Sequence, residues 1–244
     1  MDFEKLFPRY DSKGIETVRS AYAIAEEALK DMKRGNGALF IEHPLEVAKI
    51  VYEEIGLSAE CVAAVFLHEA TRFFPETDIA SAKFSQDVYT MVDGLNKIST
   101  IKPKDTKLEA ENYKKLIVSY SKDPRVTVIK IADRLEVMRS LDMFPKSSRE
   151  RKVLETMMLY IPLAHQLGLY NIKSEMEDIF FRHADPEQYR AITNKLKSTE
   201  RDRQKLMTQF IEPLKQKLSE EGIKYKLKVR TKTALSIYKK MQKQ

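Results

Sequence analysis

The chain contains little cysteine and little glycine. Its 244 residues include one cysteine and seven glycines. A single thiol, Cys61, excludes an intrachain disulfide and fits the reducing interior of a cell. Cys61 lies in the apolar run SAECVAAVFL, so we expect an inert buried thiol rather than a nucleophile. The scarcity of glycine, with 43% hydrophobic and 32% charged residues, favours a mainly helical protein with a substantial core.

Long hydrophobic runs are also absent. No window approaches the roughly 18 consecutive apolar residues of a membrane span. The N-terminal sequence MDFEKLFPRYDSKG has no apolar stretch of the kind that signal peptides contain. We therefore expect a cytoplasmic protein without a membrane partner.

One segment lacks acidic residues. Of the 43 Lys and Arg residues, eight lie in 222–244, which contains no acid and leaves 35 basic and 36 acidic residues elsewhere. The nearly neutral remainder argues against nucleic-acid binding over the whole surface. The basic segment suits the binding of a concentrated anion such as a polyphosphate. Residues 224–230 alternate basic and apolar side chains, as a half-buried strand does. Alternating lysines are also common on edge strands that are merely kept soluble.

Hydrophobic periodicity predicts helices along most of the chain. The predicted helices are 14–33, 43–56, a helix capped by Ser58, 87–99, 109–121, 124–142, 149–167, 171–184 and a long, largely exposed helix at 186–218. A polar loop is predicted at 101–109, and a short helix after 232. The pattern predicts a helical bundle of about 195 residues, a helical connector and one strand that cannot be stable alone.

Four potential metal ligands lie in these apolar helical segments. They are His43, His68, Glu69 and Asp133. Imidazole nitrogens and carboxylate oxygens suit Mn²⁺, Fe²⁺ or Zn²⁺, and such an ion would activate water for attack on a phosphoester. Two alternatives remain open: histidines buried for packing and hydrogen-bonded to the backbone or Asp133, and an ion pair between Asp133 and Arg134.

The order of several motifs resembles the RelA/SpoT homologue family, bacterial enzymes that make and degrade the stringent-response alarmones guanosine tetra- and pentaphosphate. The similar segments are RGNGALFIEHPLEVAKI, AAVFLHEATRFFPET, VDGLNKIS, AENYKKLIVSYSKDPRVTVIKIADRLEVMRSL, YIPLAHQLGLYNIKSEMEDIFF and KVRTKTALSIYKKM. The resemblance covers about residues 14–244. It implies an all-α HD-type hydrolase domain at 1–195, a connector at 196–221 and a truncated start of the α/β synthetase domain at 222–244.

Several departures from the family pattern fall in the hydrolase pocket. The family's metal ligands fall on His43, His68, Glu69 and Asp133, and Glu69 replaces an Asp. One added methylene moves a carboxylate by roughly 1.3–1.5 Å, more than the ~0.2 Å that ligand distances tolerate. The resemblance implies Mn²⁺, which we expect to be absent here. The family's two catalytic acids fall on Arg72 and Phe73, which cannot accept a proton from water.

The nucleotide-binding positions are partly retained. For the guanine pocket the resemblance implies Arg34, Phe40 in place of a tyrosine, and Val137 in place of an asparagine, with Gly35 where a lysine is usual. For ATP in the synthetase it implies four cations, whose charge suits polyphosphate: Arg230, Lys232, Lys239 and Lys240. Thr233 replaces a histidine. The synthetase's catalytic acids and its Mg²⁺ and GDP/GTP sites would lie beyond Gln244, so we expect no pyrophosphate transfer by this chain.

Three functions follow from the resemblance. The first is an inactive hydrolase domain with a structural or regulatory role toward the synthetase of a GTP pyrophosphokinase. The second is an active guanosine-3′,5′-bis(diphosphate) 3′-pyrophosphohydrolase that tolerates Glu69. The third is a module that binds guanosine polyphosphate without cleaving it. ATP and GTP or GDP would be ligands of the full-length protein, nucleic acid would not bind directly, and a ribosome would be contacted only through other domains.

Overall fold

The computed structural model of the chain describes residues 1–100, 123–227 and 232–243. The regular structure in these ranges is helical, which confirms the predicted all-α class. The chain divides into two compact units, Met1–Met176 and Glu177–Gln244. The domain boundaries predicted at 195 and 221 stay predictions. The loop predicted at 101–109 and the helix predicted at 109–121 lie outside the described residues.

In the described residues, the first unit is built from α-helices. In chain order they are α1 (Phe3–Leu6), α2 (Ser12–Leu29), α3 (Glu42–Lys49), α4 (Ala59–Phe73), α5 (Gln86–Thr100), α6 (Pro124–Arg139), α7 (Lys146–Glu155) and α8 (Ile161–Gln166). The π-helical segment Ile50–Ile55 extends α3, and a second one, Thr156–Tyr160, links α7 to α8. A 3-10 turn, Leu141–Met143, follows α6. The boundary between the units falls within α9 (Tyr170–Ala184).

The ends of these helices follow from their sequences. Asp11 accepts a hydrogen bond from the Gly14 backbone N–H at 2.8 Å, which caps the start of α2. Asp123 caps α6 in the same way, ahead of a proline suited to a first turn. Gly56 ends the helical segment after α3 with a φ of 84°, a left-handed conformation that glycine adopts readily.

Helix α4 lies at the centre of the first unit. It contacts α2, α3, α5 and α6, and every residue from Cys61 to Ala70 is buried. A helix surrounded by others needs apolar residues on all sides, which explains the run CVAAVFL. His68 and Glu69 interrupt this run and are nevertheless buried, so they need polar partners within the protein.

The second unit contains the rest of α9 and three further helices. These are α10 (Pro186–Ser198), α11 (Glu200–Glu220) and α12 (Ala234–Met241). Its core consists of Phe181, Ile192, Ala234 and Leu235. The aromatic ring centroids of Phe181 and Tyr238 are 4.9 Å apart, which attaches α12 to α9.

Two predictions for this unit were wrong. The single helix predicted at 186–218 is two helices, because the chain leaves helical geometry at Thr199, with φ −103° and ψ 9°. The Thr199 hydroxyl and the Thr199 backbone N–H both donate to the Lys195 carbonyl, at 2.8 and 3.1 Å. Residues 223–227 form no strand, since no neighbouring strand in the described ranges offers a hydrogen-bonding edge. Residues 228–230 of that predicted strand lie outside those ranges.

Among the described residues, no helix is both long enough and apolar enough to cross a bilayer.

Candidate functional site

Three of the four predicted ligands converge at one point. His43 comes from the first turn of α3, Glu69 from α4 and Asp133 from α6. One ligand atom from each lies within 4.8 Å of the others. The His43 Nε2 atom is 3.3 Å from Asp133 Oδ1 and 3.8 Å from Glu69 Oε1. The longer side chain of Glu69 therefore still reaches the place where the other two meet.

The fourth predicted ligand, His68, lies beside this triad. Its Nε2 atom is 3.5 Å from Glu69 Oε1. Its Nδ1 atom is 2.8 Å from Asn96 Oδ1, and the Asn96 amide N–H donates to Thr71 Oγ1 at 2.9 Å. That second bond fixes the Asn96 amide with its oxygen toward His68. Since the oxygen can only accept, Nδ1 of His68 carries the proton and donates to it. Burial lowers the pKa of His68 to about 4, so the ring is neutral at physiological pH.

Each carboxylate of the triad already binds a side-chain cation. The Arg72 guanidinium donates to Glu69 Oε2 at 2.6 Å from one turn further along α4. The Lys130 ammonium donates to Asp133 Oδ2 from one turn earlier on α6, and to Ser99 Oγ at 3.3 Å. Lys130 is buried. Both charges of the carboxylate pair are therefore balanced within the protein.

A third carboxylate, Glu136, holds His43 from the other side. Glu136 Oε2 accepts from His43 Nδ1 at 2.5 Å, and Oε1 accepts from the Arg34 guanidinium at 2.5 Å. Burial opposes protonation of His43, but hydrogen bonds to Asp133 and Glu136 raise its pKa to about 10. Burial likewise opposes ionisation of Asp133, and the charges of Lys130 and His43 hold its pKa well below the usual range. His43 is thus a cation between two carboxylates.

A cavity of about 620 Å³ opens next to this network. Seven Lys or Arg residues and two carboxylates, Asp133 and Glu155, line it. The seven cations are Lys33, Arg34, Arg72, Lys130, Arg134, Arg151 and Lys152. A concave wall with so many cations concentrates positive potential and favours a multiply charged anion.

The residues at the positions of the family's acids form part of this wall. The Arg72 guanidinium lies over the Phe73 ring at 4.5 Å from its centroid. The Phe73 ring meets Phe40 edge to face, with centroids 5.2 Å apart, and Phe40 is 5.5 Å from the His43 ring. Val137 also lines the cavity. The structure thus places the predicted guanine-pocket residues Arg34, Phe40 and Val137 in one cavity wall, where their role stays a prediction.

Close packing explains the glycine at position 35. A Cβ atom there would lie 2.2 Å from the backbone carbonyl oxygen of Met143. No side chain fits at that distance without a shift of the backbone. The lysine expected from the family pattern is therefore sterically excluded from this loop.

The predicted ATP-binding cations are placed in the second unit. Lys232, Lys239 and Lys240 are exposed at α12 or just before it. The Lys239 Nζ atom lies 3.9 Å from Glu177 Oε1, within the same unit. Arg230 lies outside the described residues. ATP binding by this set stays a prediction.

Lys130 and Glu136 were not predicted from the sequence. Both lie on α6 with Asp133, at intervals of three residues, so all three face the same side of the helix. The segment VIKIADRLEVM therefore carried a usable signal, since Lys130, Asp133 and Glu136 occupy one side of a helix that is rich in apolar residues. Asn96 and Ser99, three residues apart on α5, meet His68 in the same way.

The site fits a divalent ion in shape but not in charge. Nitrogen and carboxylate donors converge as metal ligands do. However, Arg72 and Lys130 each donate to the second oxygen of one carboxylate. The negative charge that would attract a metal ion is therefore balanced by these two cations.

The sequence comparisons identify the family. Residues 21–170 match the HD domain family, and the chain therefore belongs to it. The chain is 34% identical to the guanosine-3′,5′-bis(diphosphate) 3′-pyrophosphohydrolase of Aquifex aeolicus, over 99% of this chain and 34% of that protein. It is 34% identical to the bifunctional (p)ppGpp synthase/hydrolase SpoT of Escherichia coli K12, over 93% of this chain and 32% of that protein.

A third relative carries a different name. The chain is 32% identical to the GTP pyrophosphokinase of Myxococcus xanthus, over 94% of this chain and 31% of that protein. These matches confirm membership of the RelA/SpoT homologues and the expected HD-type helical bundle. The chain spans about a third of the length of these relatives.

Proposed function

We propose that this chain is the N-terminal region of a RelA/SpoT-type protein whose HD pocket binds guanosine polyphosphate without hydrolysing it. With its pocket bound or free, the HD domain would support a synthetase domain structurally or regulate it. One observation carries this proposal. A cavity lined by seven cations has Arg72 and Phe73 at the two positions that would have to accept a proton.

The cavity wall has charged residues for the phosphates of the nucleotide and apolar residues for its base. Arg151 and Lys33 are exposed at the cavity, and Arg151 Nε lies 3.8 Å from Glu155 Oε1. Both cations would donate charge-assisted hydrogen bonds to phosphate oxygens. Phe40, Phe73 and Val137 supply apolar surface for a base. Arg34 is committed to Glu136 and would contribute mainly through its charge.

Hydrolysis would require a group that removes a proton from the attacking water. Within the described cavity wall, the carboxylates are Asp133, paired with Lys130, and Glu155, which accepts from Arg134 at 3.0 Å. Burial opposes ionisation of Asp133, but the charges of Lys130 and His43 hold its pKa well below the usual range, which makes it a weak base. We infer that the pocket holds its ligand intact.

A second candidate function is hydrolysis of the same nucleotide. The convergence of His43, Glu69 and Asp133 within 4.8 Å favours it, and two of the relatives carry hydrolase names. Turnover would require that the network open and release both carboxylates from their cations. An assay of pyrophosphate release from the nucleotide separates the two candidates.

For the longer protein we keep the prediction of GTP pyrophosphokinase activity. Identity to the GTP pyrophosphokinase of Myxococcus xanthus supports it. Mg²⁺, ATP and GTP or GDP would then serve the synthetase domain, to which Arg230, Lys232, Lys239 and Lys240 would contribute. Cytoplasmic localisation and the lack of a direct ribosome contact also stay predictions.

Calorimetric titration of the chain with guanosine 3′,5′-bis(diphosphate), without divalent metal, tests binding. We expect saturable binding that weakens as salt is added. The double variant Lys33→Gln/Arg151→Gln should bind about tenfold more weakly, because two exposed charge contacts of about 0.7 kcal/mol each give that factor. Both side chains are exposed, so the variant should fold.

The matched control is Lys215→Gln/Lys217→Gln, which removes the same charge from the exposed helix α11. Its affinity should stay within about twofold of the unmodified chain. Absence of binding at millimolar nucleotide, or an equal loss of affinity in the control, would contradict the proposal.

A further inference from the structure

Among the described residues, Arg72 holds Glu69 more closely than either His43 or His68 does. The guanidinium donates to Glu69 Oε2 at 2.6 Å, whereas Glu69 Oε1 is 3.5 Å from His68 Nε2 and 3.8 Å from His43 Nε2. The Glu69 side chain is 2% exposed and that of Arg72 is 33% exposed. Arg72 therefore reaches inward from the cavity and ends on a carboxylate that is otherwise shielded from water.

The stacking of Arg72 on Phe73 fixes this inward orientation. The guanidinium carbon lies 4.5 Å from the Phe73 ring centroid, a contact that favours a cation over an aromatic face. Phe73 is held in turn by its edge-to-face contact with Phe40. The Arg72–Phe73 pair thus supplies both the cation and the support that keeps it on Glu69.

Lys130 balances the other carboxylate in the same way. It donates to Asp133 Oδ2 and is buried. Glu69 and Asp133 together carry two negative charges, and Arg72 and Lys130 carry two positive ones. A divalent ion placed between His43, Glu69 and Asp133 would gain little attraction from carboxylates whose charge is already cancelled nearby.

We infer that Arg72 is a built-in counter-cation that occupies Glu69 and keeps divalent metal out of the His43, Glu69 and Asp133 site. The three ligand side chains are thereby held together without a bound metal ion. This inference rests on the proposed non-hydrolytic function, but it concerns metal affinity. It can fail while nucleotide binding without cleavage stands.

Removal of Arg72 should create a metal site. We expect Arg72→Gln to bind Mn²⁺ at least tenfold more tightly than the unmodified chain, since the substitution removes a positive charge that repels the ion from Glu69. Titration of the metal-stripped protein with Mn²⁺, followed by electron paramagnetic resonance of the free ion, measures this. The melting temperature of Arg72→Gln should rise with Mn²⁺ over EDTA, while that of the unmodified chain should not change.

Arg149→Gln is the matched control. The Arg149 side chain is also 33% exposed and pairs with an acid, Asp142, but it is not part of the cavity wall. Its Mn²⁺ affinity should equal that of the unmodified chain. If Arg72→Gln does not fold, Arg72→Met, which keeps the apolar stem beside Phe73, gives the same comparison.

Three results would overturn the inference. The first is tight, stoichiometric Mn²⁺ binding by the unmodified chain. The second is an Arg72 variant that folds and binds Mn²⁺ no more tightly than the unmodified chain does. The third is an equal gain in Arg149→Gln, because the effect would then be general charge rather than release of Glu69.

Discussion

Replacement of Glu136 by glutamine should destabilise the chain by about 3–5 kcal/mol, the usual cost of breaking a buried ion pair by removing one partner. Glu136 accepts from both His43 and Arg34, and the three side chains are 5%, 9% and 9% exposed, in that order. Glutamine has the same shape, so packing should change little. The loss should appear in urea unfolding followed by circular dichroism.

A matched surface variant separates this effect from a general loss of charge. Glu46→Gln removes an acid that pairs with Lys49 at 2.6 Å, but the Glu46 side chain is 50% exposed. Its cost should be about 0.5 kcal/mol or less. A Glu136→Gln cost below about 1 kcal/mol would mean that Glu136 is not the central partner of His43 and Arg34.

Supplied with Mn²⁺ and guanosine 3′,5′-bis(diphosphate), the chain should release pyrophosphate no faster than buffer does. Arg72 is a permanent cation and Phe73 is a hydrocarbon ring, so neither takes a proton from water. Loss of a general base alone typically costs about 10²–10⁴-fold in rate. Chromatographic separation of nucleotide and product over several hours measures the release.

A hydrolase measured under identical conditions is the positive control, and the Aquifex aeolicus pyrophosphohydrolase is a suitable one. Sustained release of pyrophosphate by this chain that stops with EDTA would support the second candidate function. Binding without release would support the first.

The candidate ligands could be picked out from the sequence and the family resemblance placed them in one site, but the partners of the triad could not be predicted. Charged or titratable residues inside apolar helical runs are rare, so His43, Glu69 and Asp133 stood out by context alone. Helical spacing shows which residues share a side of one helix. It does not show which other helix that side contacts, and so the bond from Glu136 to Arg34, 102 positions away, needed the tertiary structure.

Local predictions failed where a single residue or a missing partner decided the outcome. The charge pattern of 186–218 suits a helix throughout, yet the backbone leaves helical geometry at Thr199. The alternation at 224–230 requires an adjacent strand, because a lone strand leaves its backbone groups unpaired. The need for glycine at position 35 could not be predicted either, since the Met143 carbonyl that excludes a side chain lies more than a hundred residues away in the sequence.

One crystallographic experiment tests the central claim that this pocket keeps its ligand intact without a metal ion. Crystals of the chain would be soaked with guanosine 3′,5′-bis(diphosphate) and Mn²⁺, and anomalous scattering would be recorded at the manganese edge. We predict a complete nucleotide against Arg151 and Lys33, with Arg72 still on Glu69 and no anomalous peak between the triad side chains. An anomalous peak at His43, Glu69 and Asp133, beside a nucleotide that has lost its 3′-diphosphate, would contradict the claim.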